Sequence, residues 1–423
     1  MSSAESSSTQ RRIFRSKWVC PVDQPPIENG AVVVSENRIQ EVGKFKSISH
    51  DSDNVIDLGQ GALIPGLVNA HTHLEFSNIE TPLGHPGIRF TDWIRLIVSC
   101  RNKANQDDTN QGDTNQSNKT QRIKRGIEES VRAGVSAIGE IATAPFRVED
   151  YSSDSPICLV TFLEQLGRDV DSFPDKRIEL DAHFSLKGEN EGHTFCASPH
   201  APYSVHPELL KQICEQARTQ NRSVAMHIAE TIAERELLEH RTGDFVELLK
   251  DFGVWNPETF ASGCSILETL QTLSQVSNVL LIHGNYLSDI ELNFIASQSK
   301  TMSVVFCPRT HRFFGHSKYP LEKLRKRNIN VAVGTDSRAS NPDLDLFEEL
   351  KLIADSFPGI GIGQILKMGT FNGAKALGCE RKLGSISIGK EAAFSFIESA
   401  ASSTDASLER WIFSPESICR PVH

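Results

Sequence analysis

At 423 residues the chain is long for one hydrophobic core, so a large domain with a smaller companion is the starting expectation. Its 39% hydrophobic and 23% charged content is ordinary for a folded soluble protein, and a net charge of -10 argues against a nucleic-acid-binding surface. The longest apolar runs are strand-sized, which excludes a membrane-spanning helix, and nine cysteines without Cys-x-x-Cys spacing fit a reducing cytoplasm better than a disulfide scaffold.

Met1 to Gln10 is Ser-rich and lacks an apolar stretch, so residues 1–11 read as a loose tail and not a signal peptide. From residue 12 to 63 the text breaks into short strands, Ser16–Cys20, Ala31–Ser35, Arg38–Val42 and Asn54–Asp57, separated by Pro, Gly and Asn turns. Residues 376–423 have the same character, and the two ends are expected to pair into one small discontinuous β-sandwich.

Between them strands alternate with helices. The expected strands are Leu63–His73, Val135–Ile141, Cys158–Leu163, Thr194–Pro199, Ser223–Ile228, Val279–His283, Met302–Pro308 and Asn330–Thr335. The intervals carry amphipathic segments such as Pro207–Gln220, Thr231–Phe252, Asp289–Ser297 and Leu344–Asp355. Eight βα units predict an α/β fold, a (β/α)8 barrel over residues 64–375, with a doubly wound sheet as the competing arrangement. The near-repeating polar run at residues 106–121 is expected to be a mobile surface insertion.

Barrels of this kind carry their chemistry at the C-terminal ends of the strands. The first strand ends in Gly66-Leu-Val-Asn-Ala-His71-Thr-His73-Leu-Glu75, where period-two alternation puts both imidazoles on one face. Two neighbouring imidazoles are half of a metal site. Further along stand Glu164 after the third strand, Ser198-Pro-His200-Ala-Pro-Tyr203 after the fourth, and Met226-His227-Ile-Ala-Glu230 after the fifth. His283 closes the sixth, Cys307-Pro-Arg309-Thr-His311-Arg312 follows the seventh, and Val333-Gly-Thr-Asp336 the eighth. Histidine or aspartate at so many strand ends points to one metal-dependent site.

These stretches, with Pro65-Gly-Leu-Val-Asn-Ala-His-Thr-His73 and the closing Gly384-Ser-Ile-Ser-Ile-Gly-Lys390, resemble the amidohydrolase superfamily over nearly the whole chain. The branch is that of cytosine, guanine and S-adenosylhomocysteine deaminases and triazine chlorohydrolases. Asn69 to Ser77 and His200 to Val205 are most similar to the aminodeoxyfutalosine deaminases. The resemblance implies a hydrolase whose metal ligands are His71, His73, His227 and Asp336, holding one divalent ion, zinc first and iron second. It makes Glu230 the acid that protonates a ring nitrogen, Asp336 the acceptor of the water's proton, and His283 the group that steadies the same oxygen. No lysine stands at the fourth strand end to bridge a second metal, so one ion is expected. The absence of any Cys-x-x-Cys excludes the other zinc-deaminase class, although His73-Leu-Glu75 would fit its first half.

Glu75, Glu164, His200 and Arg309 are the expected substrate contacts, Arg309 as a bidentate grip on a carboxylate. Arg309 and Arg312 stand where many relatives have Cys-Pro-x-Ser-Asn. The resemblance implies a small-molecule substrate and deamination of a purine-like nucleoside, aminodeoxyfutalosine by preference. Hydrolysis of a chlorotriazine, an amide or a cyclic imide is the alternative, and a silent barrel with a structural role the third reading. Relatives are often dimers, so a homodimer is expected, without an interface signature. His240, His316 and His423 are expected to face solvent, and Glu348-Glu349 to belong to a helix face and not to an acid/base couple. Gly359-Ile-Gly361-Ile-Gly363 lacks the spacing of a phosphate loop.

Overall fold

The computed structural model describes residues 11–49, 54–109, 114–152, 157–187, 192–260, 263–398 and 408–422. Among them, fifteen strands form two sheets. The chain opens with β1 (Arg12–Val19), β2 (Ile27–Ser35) and β3 (Arg38–Lys44), an antiparallel meander. β4 (Asn54–Asp57) runs parallel to the first half of β1, and β5 (Gly61–Pro65) parallel to its end at Trp18 and Val19.

Eight strands then run parallel, each beside the next: β6 (Leu67–Thr72), β7 (Val135–Ala142), β8 (Cys158–Gln165), β9 (His193–Pro199), β10 (Val224–Ile228), β11 (Val279–His283), β12 (Met302–Phe306) and β13 (Asn330–Val333). β14 (Phe394–Glu398) and β15 (Ile418–Val422) return to the first sheet, where β14 pairs antiparallel with β5. The two chain ends therefore share one seven-stranded sheet beside a TIM-like barrel, and the doubly wound alternative is excluded. No helix among the described residues is long and apolar enough to cross a membrane.

Closure of the barrel comes from a parallel bridge between Thr72 and Asp336. Thr72 Oγ1 donates to the Asp336 carbonyl at 2.9 Å, and Asn69 Nδ2 to Thr335 Oγ1 at 2.8 Å. Gly334 allows this approach, because a Cβ there would lie 2.8 Å from the Cβ of His71. Along β11 to β13 alternate residues divide between two clusters. Leu281, Val304 and Val331 pack outward with helical residues such as Leu237, Leu292 and Leu350, while Leu280, Ile282, Val305 and Ala332 take the opposite face.

Two expectations need correction. The strand expected over Leu63–His73 is two, because the ladder changes partner at Gly66: β5 pairs with β14, β6 with β7. Gly66 lies so close to Ser136 that a Cβ would meet its Oγ at 2.5 Å. The helix expected over Thr231–Phe252 is also two, Ile232–His240 and Asp244–Asp251, interrupted by positive φ at Arg241 (58°) and Gly243 (89°). The run 106–121 spans the end of the helix Phe90–Thr109 and the start of the helix Thr114–Arg132, with 110–113 outside the described residues. Ile123 and Ile127, one turn apart and wholly buried, dock that second helix. Lys119 Nζ then reaches the carbonyls of Thr143 and Pro145 at 2.9 and 3.0 Å.

Candidate active site

Six titratable side chains converge at the C-terminal end of the barrel: His71, His73, His227, Glu230, His283 and Asp336, each buried. His71 is wholly buried, and neither of its ring nitrogens, nor Nδ1 of His73, has a hydrogen-bond partner. Burying an unpaired polar atom is costly, so a donor set left this way fits a bound cation. One ligand atom from each of His71, His73 and Asp336 lies within 4.8 Å of the others, and the same holds for His71, His227 and His283. Asp336 Oδ1 faces His71 Nε2 at 3.5 Å and His73 Nε2 at 3.6 Å. His227 Nδ1 lies 3.1 Å from the His200 carbonyl, a contact that assigns the proton to Nδ1 and leaves Nε2 as the donor.

The backbone is bent to bring these groups in. His227 follows the parity of Ala225 on the inner face of β10. His283 falls on the parity of Leu281, which faces the helices, and its φ of 68° turns it into the site instead. Asp336 (58°) and Ala229 (51°) also lie in the left-handed region. Such conformations cost about 1–3 kcal/mol each and persist where surrounding contacts fix them. Tyr319 Oη donates to the His283 carbonyl at 3.0 Å, and Gly284 N to the Ile228 carbonyl at 3.0 Å.

Burial sets the proton affinities. It drives the pKa of His73 and His227 well below the ordinary histidine value, with neighbouring His71 adding to the effect. His283 falls to about 3, again through burial. Burial raises the Asp336 carboxyl, but the rings of His71, His283 and His73 more than reverse this and hold it below the usual aspartate range. Glu230 goes the other way. Burial first, then the charges of Asp336 and Glu234, push it well above the usual glutamate value. Two carboxyls beside one centre are thus shifted in opposite directions, Asp336 down and Glu230 up. Glu230 Oε1 is 3.4 Å from His283 Nε2, and His283 Nε2 is 4.0 Å from Asp336 Oδ2.

The site opens into a cavity of about 950 Å3. Glu164 and His200 line it, 3.9 Å apart, with His200 Nδ1 bonded to Ser204 Oγ at 2.7 Å. Glu75 stands behind the wall, where it accepts from Arg101 at 2.6 Å and from Thr143 Oγ1 at 2.5 Å. Arg309 is not at the cavity. Its guanidinium is bidentate to Asp343 at 2.6 and 2.9 Å, so it is not the expected substrate grip. The helix that follows Pro308 turns the side chain away from the site and toward the loop before Leu346. Two arginines do line the cavity, Arg101 and Arg168, and Arg101 is the one beside Glu75 and Glu164. Arg101 continues the apolar face Phe90, Trp93, Ile94, Ile97, Val98 of its helix at helical spacing. His316, expected in solvent, is largely buried, 3.2 Å from Tyr286 Oη. Glu349 lies on the helix Leu346–Ser356 and is wholly buried.

The Amidohydrolase family model matches residues 62–416, most of the chain. A 5-methylthioadenosine/S-adenosylhomocysteine deaminase of Pyrococcus furiosus is 28% identical over 380 residues, covering 86% of this chain and 82% of its own. An aminodeoxyfutalosine deaminase of Nitratiruptor sp. is 28% identical over 377 residues, covering 87% and 84%. The crystal structure of Helicobacter pylori aminofutalosine deaminase in complex with methylthio-coformycin superposes with a TM-score of 0.76 at 24% identity, covering 93% of each chain. With this match over the barrel and its strand-end donors, the chain belongs to the amidohydrolase family.

Proposed function

We propose that the protein is a metal-dependent aminohydrolase that replaces the exocyclic amine of an adenine-like nucleoside with oxygen and releases ammonia. The observation that carries this reading is the placement of Glu230: its buried carboxyl, raised well above the usual glutamate value, stands 3.4 Å from His283 beside the donor set of His71, His73, His227 and Asp336. Deamination of a heteroaromatic ring needs a proton delivered to the ring nitrogen as water attacks the adjacent carbon. Chloride leaves as a stable anion and depends on that proton less than ammonia does, which weighs against the chlorohydrolase alternative.

His71, His73, His227 and Asp336 would hold one divalent ion, and three imidazoles with one carboxylate suit zinc first and iron second. Such an ion supplies Lewis-acid activation of water at neutral pH. The side chains do the rest. Asp336 accepts the proton of the attacking water, and His283, neutral at working pH, hydrogen-bonds the same oxygen. Glu230 gives its proton to the ring nitrogen, and the proton taken from the water reaches the departing amine, which leaves as ammonia. Glu164 and His200 take the polar edge of the nucleoside, and the apolar face of the helix from Phe90 takes the remainder.

The test is ammonia release by zinc-loaded protein with 5-methylthioadenosine, S-adenosylhomocysteine, aminodeoxyfutalosine, adenosine and a chlorotriazine. Turnover of at least one adenine nucleoside is expected, abolished by a chelator and restored by zinc. Folded, metal-bound protein that hydrolyses only the chlorotriazine would overturn the reading.

A further inference from the structure

Glu230 sits on a turn that would not hold its shape unaided. β10 ends at Ile228, and Ala229 then takes a φ of 51°, a region that residues with a Cβ avoid. A few residues on, Thr231 caps the helix Ile232–His240, accepting from Glu234 N at 3.0 Å. In a Thr-x-x-Glu start the glutamate usually returns to the backbone N–H of the cap itself. Here the Glu234 carboxylate reaches past it, to Ala229 N at 3.1 Å through Oε1 and to Glu230 N at 2.7 Å through Oε2. From the other side Asn285 Nδ2 donates to the Glu230 carbonyl at 3.0 Å. Glu234 itself is 1% exposed and does not line the cavity.

We propose that Glu234 is a positioning residue for the reaction: by accepting from both N–H groups of the turn after β10, it fixes the backbone that aims Glu230 at the metal-site histidines. The inference rests on the reading of Glu230 as the acid. A carboxylate is required because the turn presents two donors and only a carboxylate offers two acceptor oxygens in that shape. Burial lifts the Glu234 carboxyl to about 7, and the two backbone bonds pull against that lift by favouring its ionised form. Glutamine, identical in size, would satisfy one N–H and set an NH2 group against the other. The same device recurs nearby, since buried Glu140 accepts from Leu74 N at 2.9 Å, directly after His73.

The experiment is the crystal structure of the E234Q enzyme together with its metal content and steady-state kinetics, with E234A as a second variant. The expected result is a fall in kcat of about 10- to 100-fold with KM held within about threefold. Zinc content should match wild type, and the Glu230 carboxylate should leave its place beside His283. An unchanged kcat, a loss accounted for by missing metal, or Glu230 unmoved in the crystal overturns the proposal. Failure of both variants to fold also overturns it, because Glu234 would then be structural. A wild type inert toward every nucleoside sinks the deaminase reading alone, since the displacement of Glu230 is still read from the crystal.

Discussion

The inner and outer ends of the cavity are built in opposite ways. At the inner end every working side chain comes from a strand end, is buried, and sits on backbone tied by named hydrogen bonds. At the mouth the wall is Leu166, Val170, Phe252 and Val254, from connections between elements, and these side chains are 41–57% exposed. Rigid strands carry the chemistry, whereas loops, which can change without disturbing the core, carry the fit to the substrate's tail. Changes at the inner end, or in the groups that hold its backbone, should therefore alter kcat, those along the wall KM, and those tied to neither stability alone.

The largest effect is expected from Glu230→Gln. Loss of a general acid should lower kcat by about 10²- to 10⁴-fold, with KM much less affected. The pH profile gives the sign. Glu230 acts protonated and its folded pKa is raised, so wild-type kcat/KM should fall as pH rises through that value. The glutamine variant should lack this alkaline limb. A variant that keeps both the rate and the limb would show that the inner end works without this carboxyl.

A smaller change is expected halfway along the wall. Arg101 lines the cavity, tied to Glu75 at 2.6 Å and 3.9 Å from Glu164. Its charge thus orders Glu164 on the cavity wall and Glu75 behind it. Arg101→Met should raise KM about tenfold, as loss of one charge-assisted bond does, with kcat within about threefold. A fall in kcat with unchanged KM would place Arg101 in the inner group instead.

Sequence periodicity reveals the contrast only partly. His71, His73, His227, His283 and Asp336 were legible because strands place one residue type at one position in each βα unit. The loose ends were not. Arg101 lies on a helix whose apolar face reads the same whether it meets a core or a cavity. Gly66 ends one sheet and begins another inside a continuous apolar run, where alternation gives no warning. Glu234 looks like an ordinary capping glutamate until the turn before it is seen. The composition of the polar run 106–121 says nothing of the helix that starts within it, because the residues that dock that helix, Ile123 and Ile127, lie just beyond the run.

The smallest effect on activity, and the sharpest test of the boundary, concerns Arg309. Its sequence position suggested a carboxylate grip, but its partners are Asp343 and the wholly buried Glu349, whose Oε1 is 3.9 Å from Arg309 Nε. Glu349 also accepts from Arg309 N at 2.8 Å and from Asn341 Nδ2 at 2.6 Å, so the cluster pins the loop after β12 to the one after β13. Arg309→Met should leave KM unchanged for carboxylated and neutral nucleosides alike. Because Asp343 is 38% exposed, the stability loss near neutral pH should be modest, about 1–2 kcal/mol, read as a lower Tm. Burial pushes Glu349 up to about 8 against the pull of Arg309, so removing the guanidinium raises it further. Below that value Glu349 is protonated in both proteins. As pH rises through about 8 the wild type ionises Glu349 while the variant resists, so the Tm difference should widen on the alkaline side. A KM that rises only for carboxylated substrates would return Arg309 to the cavity.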